Sequence, residues 1–103
     1  MKLFHLIGLF TIGMVVASTA MAAGDAAKGK QVFMANCIAC HNPDPAKDGP
    51  VGPAIKGSSE ELVKLRVTEA KYPAGYKPKR DTNLMPPLPH LAGSVADLAA
   101  FLK

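Results

Sequence analysis

Hydrophobic positions recur at helical spacing in three stretches of the chain, and no stretch alternates as a strand would. Gly29, Val32, Phe33 and Cys37 share one face of a helix that Asp25 can cap and that runs from about Ala26 into a cysteine-containing motif. Leu62, Val63, Leu65 and Arg66 continue a second helix, opened by a capping box of Ser58 and Glu61 and ended by Tyr72-Pro73. Val95, Leu98, Ala99, Phe101 and Leu102 form a third after a break at Gly93-Ser94, with Ser94 and Asp97 as a second capping box and Lys103 near the helix C-terminus, where the dipole favours a cation. Gly29 inside the first helix costs roughly 1 kcal/mol in propensity. It predicts close approach of another helix, with Phe33 one turn on packing beside the crossing.

The connections are rich in proline and glycine. Asn42-Pro43-Asp44-Pro45 and Asp48-Gly49-Pro50-Val51-Gly52-Pro53 cannot be helix or central strand, and Ile55 just after them offers an apolar side chain to bury, which predicts an ordered loop. From Tyr72 to His90 the chain holds five prolines and Gly75, so extended chain and turns are expected there. A segment of that kind needs something to pack on. A planar apolar ring larger than any side chain would serve.

The first 22 residues read as a cleaved secretory signal peptide: Lys2 gives a positive start, Leu3 to Ala17 is mostly apolar, and Ala20-Met21-Ala22 is a small-residue cleavage signal. The alternative is a retained anchor, since Leu3 to Ala23 is just long enough to span a bilayer. Residues 23–103 then make one small domain, with no membrane span once the leader is removed. Taking Lys2 away leaves 11 Lys and Arg against 8 Asp and Glu, a net charge of +3. That bias is too weak for nucleic-acid binding, and no basic run interleaved with aromatic residues supports it. Lys71, Lys77, Lys79 and Arg80 nevertheless cluster in a short segment, as a solvated loop or a docking surface would.

The chemistry concentrates in Cys37-Ile38-Ala39-Cys40-His41, a C-x-x-C-H pattern that reads as covalent attachment of a c-type haem. Cysteines three apart lie on nearly the same side of one helical turn, so both sulfurs can reach two vinyl groups on one porphyrin edge. His41 follows directly and is placed to be the proximal axial ligand of the iron. A redox dithiol would need a βαβ context that the pattern lacks, and structural zinc would need four ligands where the mature chain adds only His90. The sixth position of the iron has three candidates. Met34 is too close to the attachment site to reach the opposite face and is expected to pack. Met85, within Asn83-Leu84-Met85-Pro86-Pro87, lies far enough along to reach it, and the prolines stiffen the strap that carries it. His90 is the alternative; sulfur ligation implies a higher potential than a second histidine would. Tyr72, Tyr76 and Arg80 are chemically suited to the haem propionates, and Asn83 to a hydrogen bond near the Met85 sulfur. With both cysteines on haem no disulfide remains, and the cofactor takes the stapling role in so small a fold.

Gly29 and Phe33, the Cys37 to His41 motif, Gly52-Pro53-Ala54-Ile55-Lys56-Gly57, Met85-Pro86-Pro87, and Leu98 with Phe101 occur in an order that resembles the small class I, monohaem cytochromes c. The resemblance covers nearly all of the mature chain. It implies an all-α fold of about three helices and proline-rich loops wrapped around one covalent haem, with the first and last helices crossing where Gly29 and Phe33 meet Leu98 and Phe101. It further implies that the Pro53 carbonyl accepts the Nδ1 proton of His41. The chain has no tryptophan, so an indole donor to a propionate, frequent among such proteins, is replaced by something else.

The expected function is that of a periplasmic single-electron carrier with no enzymatic activity of its own, exchanging electrons with redox proteins at its haem edge. Lys47, Lys56, Lys71, Lys77, Lys79 and Arg80 would steer partners with acidic docking surfaces. Two other readings stand beside it: a dedicated haem subunit of a periplasmic dehydrogenase, and, from a different class, a haem-based sensor or peroxidase with an open sixth position.

Overall fold

A computed structural model of the chain describes Gly13 and residues 24–103. The signal peptide expected over residues 1–22 and its cleavage point lie outside the described residues, Gly13 apart. The described elements are three α-helices and one 3-10 helix, and among these residues there is no strand.

Asp25 starts the first helix, α1, Ala26–Asn36, by accepting the N–H groups of Ala27 and Lys28 at 2.9 and 3.2 Å. The helix stops just short of the cysteine motif rather than running into it. Cys37, at φ −116 and ψ −22, begins a helix-like turn in which His41 N–H donates to Cys37 O at 2.9 Å. The motif keeps the one-turn spacing of its two cysteines but gains a backbone free to bend into the following loop.

The second helix, α2, spans Glu60–Glu69, and its cap is Ser59, not Ser58. Ser59 has extended backbone and accepts the Leu62 N–H at 3.1 Å, whereas the Ser58 hydroxyl is already donated to Ile55 O at 2.6 Å. The expected Ser58 and Glu61 capping box is therefore corrected by one residue. α2 also ends before Tyr72-Pro73. Ala70 takes the left-handed conformation, φ 55 and ψ 32, and the N–H groups of Ala70 and Lys71 both return to Leu65 O.

The 3-10 helix Pro89–Ser94 runs directly into α3, Val95–Leu102. Gly93 is thus not a break, and the capping box of Ser94 and Asp97 is absent. Continuous with the 3-10 turn, Ser94 sits at φ −104 and ψ 2 and never adopts the extended backbone that would aim its hydroxyl at the helix; it makes no side-chain cap bond. The Asp97 carboxylate accepts instead from Asp25 N–H at 2.8 Å and ties the start of α1 to α3.

α1 and α3 cross where the glycine predicts. A Cβ on Gly29 would lie 1.9 Å from Asp97 O, and one on Gly24 would lie 1.8 Å from Ala96 O, so backbone meets backbone at two points. One turn along, the rings of Phe33 and Phe101 pack at 5.3 Å between centroids, tilted by 48°. Phe33 is 1 % exposed and Leu98 2 %, and with Val63, Val67, Leu91, Val95 and Leu102 they form the buried core. Met34 does not pack with them. It follows Phe33 by one residue, which turns it to another face of the helix, and it is 39 % exposed.

Candidate functional site

Three segments converge on one cleft: the turn after α1, the loop over residues 42–57, and the proline-rich chain beyond α2. Phe33, Val63, Val67, Leu98 and Leu102 from the core form its apolar floor, and Cys37, Cys40, His41, Pro53 and Met85 all line it.

His41 is held from two sides by its own loop. Its Nδ1 lies 3.0 Å from Pro53 O, the bond expected for a proton on that nitrogen. This fixes the ring and leaves Nε2 as the nitrogen available to a metal. Gly52 is buried against the ring face; a Cβ there would stand 2.5 Å from Cε1 and 2.6 Å from Nδ1 of His41. The loop closes onto the motif through Gly52 N–H and Val51 N–H, which both donate to Cys40 O, at 2.8 and 3.2 Å. Gly49 belongs to the same clasp, since a Cβ on it would reach 2.3 Å from Cys40 O.

The loop is ordered, as the buried side of Ile55 predicts. Pro45 O accepts both Ile55 N–H and Lys56 N–H, at 2.8 and 2.9 Å, and Asp48 Oδ1 accepts Ala54 N–H at 2.8 Å. The Ala54 N–H bond, with Arg80 at 3.6 Å adding to it, holds the Asp48 carboxyl below its ordinary value.

Cys37 is half-buried and Cys40 exposed, and no disulfide joins them. Burial pushes the Cys37 thiol up from its ordinary value. Met85 is half-buried on the cleft and packs against the core. His90 is exposed on the 3-10 helix and does not line the cleft.

Tyr72, Tyr76, Lys79, Arg80 and Arg66 also line the cleft, and so supply its polar groups. Tyr72 and Tyr76 stack with centroids 5.4 Å apart and planes at 12°. Arg80 is drawn toward Asp48, and Lys79 Nζ donates to Ala54 O at 2.7 Å, so these two basic groups brace the loop. Asn83 Oδ1 accepts from Arg66 at 3.2 Å.

Arg66 and Gly52 are named in the sequence reading, but without a role at the site. Arg66 carried a signal: it lies three and four residues after Val63 and Leu62, on the face of α2 that turns to the cleft. Gly52 stands in the Gly52 to Gly57 run that the family resemblance rests on, but nothing in the sequence marks it as lying against the His41 ring.

Two thiols one turn apart, an imidazole oriented by its second nitrogen, a thioether, an apolar floor and a basic, aromatic margin form a donor set suited to an iron porphyrin with anionic side arms. A family model described as Cytochrome c matches residues 26–103, most of the chain. The chain belongs to the cytochrome c family. No curated protein matches the sequence. Membership in this family brings a covalently attached c-type haem with its iron, and Cys37 and Cys40 fit the attachment motif. It also brings the role of a haem-binding electron carrier, which works by exchange with redox partners. No helix among the described residues is long and apolar enough to cross a membrane.

Proposed function

We propose that this cytochrome c is an exported, periplasmic single-electron carrier whose iron is held by His41 on one side and Met85 on the other. Haem supplies the one-electron couple; the chain's residues bind it, orient it and keep its surroundings fixed. Cys37 and Cys40 form the two thioethers. Pro53 keeps a proton on His41 Nδ1 and thereby raises the basicity of Nε2 toward the metal. Met85 contributes a soft sulfur that favours ferrous iron and a high potential.

The observation that carries the reading is the His41 Nδ1 to Pro53 O distance of 3.0 Å in a cleft that Met85 also lines. A ligand pair held by braced segments changes little between oxidation states, which keeps the reorganisation of electron transfer small. It also leaves no open position for a sensor or peroxidase. Replacing Met85 by Ala is expected to abolish the weak near-infrared charge-transfer band of sulfur-ligated ferric iron, while His90→Ala preserves it. A parent protein without that band, or a band that persists in Met85→Ala, would overturn Met85 as the sixth ligand.

The donors and acceptors are redox proteins with acidic surfaces. Lys56, Lys71 and Lys77 are exposed, whereas Lys79 and Arg80 are partly committed to the 42–57 loop. Electron-transfer rates with an acidic redox partner are expected to fall as salt is raised from low to physiological ionic strength. A flat salt profile would exclude electrostatic steering.

A further inference from the structure

Two neighbouring residues of α2 hold the two ends of the segment that carries Met85. At the far end, Leu88 N–H donates to Val67 O at 2.6 Å. That carbonyl belongs to the last turn of α2, where no intrahelical donor remains for it. At the near end, Asn83 Oδ1 accepts from the Arg66 guanidinium at 3.2 Å. The same guanidinium donates to Ala70 O at 2.8 Å and lies 4.1 Å from the centroid of the Tyr72 ring, which is itself stacked on Tyr76. One side chain therefore joins the left-handed end of α2, the aromatic turn and the start of the strap. Arginine suits this task because its planar fork serves a carbonyl, an amide oxygen and a ring face at once.

We propose that Arg66 is a positioning residue for Met85: by holding Asn83 it keeps the strap closed and sets how readily the sulfur leaves the iron. The proposal rests on the reading of Met85 as the sixth ligand. The two anchors differ in kind. The bond from Leu88 to Val67 joins backbone to backbone and is insensitive to most side-chain replacements. The bond from Arg66 to Asn83 joins two side chains, and Asn83 is itself exposed and outside the cleft lining, so little packing assists closure. Local opening starts where contacts are fewest, so the Asn83 end governs the equilibrium.

The affinity of the ferric holoprotein for added imidazole reads that equilibrium, because the competitor binds only molecules whose sixth position is open. Asn83→Leu and Arg66→Leu are each expected to raise the affinity by roughly tenfold, the size of one hydrogen bond to a charged group. The double variant is expected to gain no more than either single one, since both act through the same contact. Arg66→Lys is expected to behave like Arg66→Leu, because the fork is lost while the charge is kept. Unchanged affinity in Asn83→Leu, or gains that add in the double variant, overturns the proposal. Asn83 is exposed, so its variant reads the contact even where Arg66→Leu fails to fold. Met85→Ala separates the two readings. Affinity and spectrum unchanged in Met85→Ala overturn the ligation and this proposal with it. A strong rise in Met85→Ala with none in Asn83→Leu overturns the role of Arg66 alone.

Discussion

His41 depends on a neighbour with no side chain. The Pro53 carbonyl can reach Nδ1 only because Gly52 lets the loop lie flat on the imidazole, and a Cβ there would sit 2.5 Å from Cε1. Gly52→Ala must therefore displace the ring or lift the loop, each of which lengthens the Pro53 bond. The expected loss is about 2 kcal/mol of holoprotein stability, typical of overpacking a tight site, together with a lower midpoint of guanidinium unfolding. A variant as stable as the parent would show that the loop can yield without cost. The contrast with the motif residues explains what sequence can and cannot name. Cysteine, histidine and methionine advertise their chemistry in isolation, so Cys37, Cys40, His41 and Met85 are legible as candidates from residue type and spacing. Gly52 and Arg66 matter through what lies against them. For Arg66 the partners Tyr72 and Asn83 come from a segment with no regular structure to predict their positions.

At the scale of elements, the helices are legible because their apolar spacing and the mid-helix Gly29 point to one packing solution, the α1 to α3 crossing. The caps are less so. Ser58 and Ser59 are equivalent as text, and the choice falls to Ser59 because a loop carbonyl claims the other hydroxyl. Asp97, three residues past the end of a 3-10 turn that the sequence does not announce, binds Asp25 across the crossing rather than capping its own helix. The 42–57 loop is an element in its own right, and Asp48 links its two halves to Arg80. Its carboxyl is held below an ordinary value near 3.8, first by the Ala54 N–H and then by Arg80. For a carboxyl depressed on folding, the stabilisation is complete above the ordinary value and disappears as pH falls through the lower folded one. Parent and Asp48→Asn are therefore expected to differ in urea midpoint at pH 6 and to converge as the pH is taken below about 4. A difference that persists unchanged in acid would mean that the carboxylate's charge contributes nothing.

The whole molecule is built around a surface it does not finish by itself. Among the described residues seven apolar side chains are buried, a small core for a domain of this size, and Phe33, Val63, Val67, Leu98 and Leu102 of that core also face the cleft. Cys37 and Cys40 lie between α1 and the 42–57 loop, so covalent attachment would tie the haem beside the α1 to α3 crossing, while the loop and the proline-rich stretch add no fully buried apolar side chain of their own. A polypeptide of this length rarely gathers more than a few kcal/mol from one hydrophobic core, and here the proline-rich stretch contributes mainly its contacts around the cleft. Folding and haem attachment are thus expected to be one event. The Cys37→Ala, Cys40→Ala double variant, exported and purified without cofactor, is expected to show little of the native helix signal by circular dichroism and no cooperative thermal transition. Native helix content in that variant would mean that the α1 to α3 crossing and the seven buried apolar residues around it, on all three helices and the 3-10 turn, suffice, and that the cofactor is added to a finished fold rather than completing it.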